Sequence, residues 1–133
     1  MKALRKRAVV LAFVAFGTAA CSEGPAATSS QTRITNATDL FQFSILSMTG
    51  RDSGRSYTWQ NNGARALIDV TPAITSGDAL LTVRDASGTV LYQENVRDDI
   101  DLLTDPGTPG AWSIELSFDQ TYGSFAFTIT RQD

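Results

Sequence analysis

The chain has 133 residues, with 11 basic and 14 acidic side chains, no histidine and one cysteine. Four of the basic residues and none of the acidic ones lie in residues 1–20, so the remainder carries seven arginines against 14 carboxylates and no lysine. That balance gives no positive footprint for phosphates, so no nucleic acid is expected as a partner. The missing residue types exclude Ser-His-Asp and Cys-His catalysis, Schiff-base lysines and the usual zinc sites in the main domain.

Lys2, Arg5, Lys6 and Arg7 open the chain, and residues 8–20 follow without a charge. The apolar run is shorter than the roughly 20 residues that span a bilayer. Its length and basic flank are those of an export signal. It closes on Thr18-Ala19-Ala20-Cys21. This tetrapeptide resembles the lipobox of bacterial lipoproteins, with Ala19 and Ala20 matching and Thr18 replacing the family's usual leucine. The resemblance implies that residues 1–20 are removed as a signal peptide and that Cys21 is alkylated with diacylglycerol. Membrane lipid is then a partner through Cys21, because two or more acyl chains hold a protein stably on a bilayer. The implied location is the bacterial cell envelope. Ser22, where an aspartate favours the inner membrane, points to the outer membrane of a Gram-negative cell. The acidic composition adds no electrostatic hold on anionic lipids.

Residues 21–32 form the lipidated N-terminus and a small, polar stretch with Gly24 and Pro25, which reads as a flexible tether. One domain of residues 33–133 follows, large enough for a core without disulfides.

Within that domain the pattern is period 2, broken by turn residues. Phe41, Phe43 and Ile45 fall on one face. Residues 55–60 are β-prone and end in Asn61-Asn62-Gly63, a sequence that accepts the positive φ of a hairpin turn. Ala66, Ile68 and Val70 share the next face, and Ser76-Gly77-Asp78 reads as another turn. Residues 79–84 and 89–94 flank the hairpin loop Asp85-Ala86-Ser87-Gly88. Residues 98–103 are the only helical candidate, and a short one. Trp112, Ile114, Leu116 and Phe118, then Phe125, Phe127 and Ile129, predict two amphipathic strands joined by a turn at 119–123. Their phase places Trp112 in the core. The pattern predicts an all-β fold: a single antiparallel β-sandwich or jelly-roll-like domain of about 7–9 short strands.

The runs Gly110-Ala111-Trp112-Ser113-Ile114-Glu115-Leu116 and Tyr122-Gly123-Ser124-Phe125-Ala126-Phe127-Thr128-Ile129, with the earlier Asp39-Leu40-Phe41-Gln42-Phe43, resemble the bacterial pre-peptidase C-terminal domain. That family is a compact, non-catalytic β-sandwich with binding or accessory roles. The resemblance implies a domain without a catalytic site; no cofactor is expected, and an envelope protein or a glycan is the expected partner.

Two groups of residues stand out as candidate sites. Tyr57 and Trp59 share one strand face beside the 61–63 turn, a placement that suits stacking on sugars or a protein contact. Asp98, Asp99, Asp101 and Asp105 supply hard oxygens of the kind calcium takes, although they lack EF-hand spacing. The expected function is therefore a non-catalytic, membrane-anchored lipoprotein with a binding or envelope-interaction domain. A carbohydrate-binding module is one alternative. A two-carboxylate hydrolase is another, requiring an acid pair across a sugar site.

Overall fold

The computed structural model describes residues 31–133. The expected export signal, Cys21 and the tether up to residue 30 lie outside the described residues. The fold is all-β and antiparallel. Its strands are β1 (Thr32–Ala37), β2 (Leu40–Asn61), β3 (Arg65–Arg84), β4 (Val90–Asn95), β5 (Ile100–Leu103) and β6 (Gly110–Gln132). They form one sheet in the order β1-β2-β6-β3-β4, with β5 paired to β3.

Three strands are much longer than the pattern predicts: β2 has 22 residues, β3 has 20 and β6 has 23. Strands usually run about 5–6 residues. Each long strand bends midway and passes from one layer of the molecule into the other. β2 pairs with β6 first through Leu40–Ile45 and again from Ser53 onward, with register shifts between. β3 shifts register against β6 between Ile74 and Asp78. Such bulges bend a strand and raise its twist, and sandwiches use them where a strand switches sheets. One layer holds β1, the first half of β2, the second half of β6, the first half of β3, and β5. The other holds the second half of β2, the first half of β6, the second half of β3, and β4. Halving the long strands thus recovers the short segments that the sequence predicts, packed as a small sandwich.

Three local expectations are corrected. Ser76-Gly77-Asp78 and residues 119–123 are corners inside β3 and β6, not turns between strands. Residues 112–118 and 125–129 are accordingly two halves of one strand and not a hairpin. Backbone geometry at the corners explains the difference. Gln120 and Gly123 have φ of 48° and 119°, which redirects the chain without reversing it. The strands also approach closely there: a Cβ on Gly77 would stand 2.0 Å from the Gln120 carbonyl oxygen, and one on Gly123 2.0 Å from that of Ala73. Residues 98–103 contain no helical turn. Ile100–Leu103 are extended as β5, where Val70, Asp69, Ile68 and Leu67 offer an open edge. The 61–63 turn joins β2 to β3 as expected, but none of its residues has a positive φ. The buried Asn61 side chain holds it, donating to the Arg65 carbonyl at 3.2 Å and accepting from the Gly63 N–H at 2.9 Å. That is the local side-chain bonding by which Asn favours turns.

The core lies between the layers. Trp59 and Trp112 are both fully buried and meet edge to face at 5.8 Å, opposite each other in the β2–β6 register. Ile114, Leu116, Phe118, Phe125, Phe127 and Ile129 are all buried, and the inward-facing set switches from even- to odd-numbered residues at the corner, with buried Thr121 the first of the second set. Contact across the layers is direct. The Tyr57 ring, in one layer, lies 5.3 Å from Phe41 and 6.2 Å from Phe43 in the other. The Trp59 Nε1–H donates to the Ala37 carbonyl at 3.0 Å and so ties the end of β1 to the far half of β2.

One core group carries a cost. Tyr92 on β4 is buried, and its hydroxyl has no hydrogen-bond partner. Burial, helped by the charge of Glu94, pushes its pKa up to about 12. A buried hydroxyl without a partner costs about 1–3 kcal/mol. Tyr92→Phe is therefore expected to hold or raise stability, by up to about 1 kcal/mol in a denaturant titration. A loss of more than that would mean the hydroxyl has a partner in solution.

Candidate functional site

The two sequence-predicted groups fare differently. Trp59 is part of the core and presents no face to a ligand. Tyr57 is half-buried on the same inward side, packed on the core, with its hydroxyl 3.5 Å from the Arg55 guanidinium. The phase reading that placed Trp112 inside applies equally to Tyr57 and Trp59. They face inward because β2 turns into the second layer after its corner. Arg55 shares that inward side, and the second half of β2 edges its layer. A charge pointing inward on an edge strand discourages pairing with another chain.

Asp98, Asp99, Asp101 and Asp105 are exposed, and among the described residues no three carboxylates, thiols or imidazoles converge on a metal position. Asp101 does sit directly opposite Asp69 in the β3–β5 pair. Like charges at such a position repel. The two carboxylates stand side by side on an open strand face, not across a cleft.

Burial pushes the polar members of each strand onto the outer faces, because successive side chains point to opposite sides. In the first layer this builds a continuous row across every strand: Thr35 on β1, Gln42 on β2, Thr128 on β6, Asp69 on β3 and Asp101 on β5. A second row, one pleat nearer the corner, runs Arg33, Ser44, Ala126 and Thr71. The rows line a groove of about 340 Å³, with Arg33 and Thr35 on one flank, Asp69 and Thr71 on the other, and the main chain at Phe43 and Phe127 in its floor.

The opposite face, formed by the second layer, has a groove of about 390 Å³ past Ser56, Thr82, Gln93, Glu115 and Ser117. Its polar groups are partly spent within the protein. Gln93 donates to Thr82 Oγ1 at 3.2 Å, and Arg84 pairs with Glu115 at 3.7 Å. In the first groove, none of the side chains of Arg33, Thr35, Gln42, Ser44, Asp69, Thr71 or Thr128 bonds to another described residue. That groove therefore presents a guanidinium, an amide, four hydroxyls and a carboxylate with their hydrogen-bonding capacity open. The sequence held a signal for it, since Gln42, Ser44 and Thr128 alternate with Phe41, Phe43, Ile45, Phe127 and Ile129, and Asp69 and Thr71 alternate with Ile68 and Val70. What it lacked was the pairing order that sets them side by side.

No protein-family model and no curated protein matches the chain.

Proposed function

We propose that the protein is a non-catalytic lipoprotein of the bacterial cell envelope, anchored through Cys21, whose sandwich binds a polar ligand along the groove between Arg33 and Asp69. The observation that carries this reading is the set of unspent polar side chains on one continuous face. Hydroxyls, an amide and a carboxylate held in a row suit the vicinal hydroxyls of a glycan, with Arg33 available for an acidic substituent. Tyr57 and Trp59 take no part in stacking, because the core uses them. The missing histidine and lysine, and the single cysteine spent on the anchor, support a binding role over a catalytic one.

The groove is tested by binding of the purified chain to envelope glycans on an array. Arg33→Ala and Asp69→Ala each remove a charged hydrogen-bonding group, worth about 1.5–3 kcal/mol where it meets a partner. Affinity is expected to fall about tenfold or more in each, with melting unchanged. Binding that survives both substitutions places the site elsewhere, and no glycan binding at all removes the glycan reading. The anchor is tested separately. Mass spectrometry of the mature N-terminus is expected to show an acylated Cys21, and Cys21→Ser is expected to leave the precursor unlipidated and uncleaved.

A further inference from the structure

The sandwich has two ends. One carries the three corners, at residues 46–52 of β2, 74–78 of β3 and 119–124 of β6. The other carries the turns at 38–39, 62–64 and 85–89. β1 starts at the corner end, since Thr32 pairs with Ile45, and the Gln31 carbonyl accepts from the Leu46 N–H at 3.0 Å. The chain toward Cys21 therefore leaves the domain beside Leu46.

At that point the surface is apolar. Leu46 is 48% exposed and Tyr122 is 43% exposed, two of the most exposed large apolar side chains of the described residues. Both lie at the corner end, where Ile45 pairs with Phe125 and Met48 with Gly123. The Tyr122 ring lies against Gly50, its hydroxyl oxygen 3.0 Å from where a Cβ would stand, so the ring is seated while its outer side stays in water.

We infer that this corner end rests on the lipid surface, with Leu46 and Tyr122 entering the headgroup region. The inference rests on lipidation of Cys21, as proposed above. The step from Cys21 to Gln31 is ten residues, which at full extension spans about 35 Å. That tether keeps the corner end within reach of the bilayer, while the far end is free to stand a domain length farther out. An aromatic ring with a polar tip suits the membrane–water interface. The neighbouring charges fit a zwitterionic surface better than an anionic one. Asp78 is paired with Arg97 at 3.0 Å, Asp52 accepts from the Gln120 N–H at 2.7 Å, and Arg51 and Asp119 balance each other in sign. Burying a leucine side chain is worth only about 1.5–3 kcal/mol. The contact thus orients a domain that the acyl chains already hold, and it aims the 38–39, 62–64 and 85–89 turns away from the membrane.

The test uses the lipidated full chain in vesicles of phosphatidylethanolamine and phosphatidylcholine, with Cys21 acylation confirmed first by mass spectrometry. A nitroxide is placed at the corner end through Thr49→Cys, or at the far end through Asp105→Cys. Both positions are exposed and outside the core. Collisions with a water-soluble nickel chelate are expected to be several-fold fewer at the Thr49→Cys label than at the Asp105→Cys label. Adding Leu46→Ser and Tyr122→Ser is expected to bring the corner label back to the far-end value. Equal collision rates in the acylated chain, or no response to the double substitution, overturn this inference and leave the anchor standing. An unacylated Cys21 overturns both.

Discussion

Trp112→Ala is expected to unfold the domain or to lower its melting temperature more than any other single truncation in the core. The side chain is fully buried, crosses Trp59 edge to face at 5.8 Å, and pairs with β2 one residue past the last β3–β6 pair, where the loops before β4 and β6 close over the second layer. Removing a buried aromatic side chain costs about 3–5 kcal/mol. The indole also bonds outward: its Nε1–H donates to the Thr108 carbonyl at 2.8 Å, fixing the loop that precedes β6. A domain of this size has a total stability of roughly 5–15 kcal/mol, and the cysteine count allows no disulfide to offset the loss. Ser113→Ala, one residue on and facing outward, is expected to stay within about 0.5 kcal/mol. Thermal melts of the two variants compare the faces directly. Trp112→Ala melting like the wild type would mean that β6 turns its other face to the core.

The same strand shows how far the sequence could be read. Alternation named the buried apolar residues of β6 correctly from Trp112 to Ile129 and missed only the buried Thr121 at the corner, because burial depends on which side of the pleat a residue takes. It misplaced the connection between the halves. Residues 119–123 have the composition of a turn, and a corner in a continuous strand uses the same residues for the same backbone reasons. Only the partners tell them apart: β2 and β3 run alongside β6 on both sides of the corner. Those contacts are distant in sequence. Tyr57 and Trp59 failed as a surface for a related reason. The strand face they share is covered by Phe41 and Phe43 from before the corner, which meet the Tyr57 ring. The polar groove was legible residue by residue but not as a site, since its rows exist only once five strands are in register.

Asp85 is the second large expectation, and the sequence marked it only as a loop residue. Its carboxylate is buried and is the hub of the loops beside Trp112. Oδ1 accepts from the Ser87 N–H at 3.0 Å, the Ser87 hydroxyl at 2.8 Å and the Thr89 N–H at 2.9 Å. Oδ2 accepts from the Thr108 N–H at 2.9 Å. The Thr108 carbonyl in turn receives the Ala86 N–H and the Trp112 indole, so one side chain couples the β3–β4 hairpin loop to the start of β6. Burial alone would raise the pKa of this carboxyl, and it is the largest single influence. The bonds from Thr108, Ser87 and Thr89 together outweigh it, leaving the pKa below the ordinary value of 3.8. A depressed folded pKa means that the unfolded chain binds more protons in acid. The stabilisation is therefore fully present above about pH 4 and drains away as the pH falls through the folded value. Asp85→Ala leaves three backbone N–H groups without their acceptor and is expected to cost about 3 kcal/mol near neutral pH. Asp85→Asn is expected to keep the Oδ1 bonds, to set an amide donor against the Thr108 N–H, and to fall between the two. Both variants should also lose this residue's share of the acid dependence, so their gap to the wild type should narrow as the pH falls through the folded pKa. Denaturant titrations at pH 7 and pH 3 read both effects. A gap between wild type and Asp85→Ala that is as wide at pH 3 as at pH 7 would show that the carboxylate's charge is not what holds the loops.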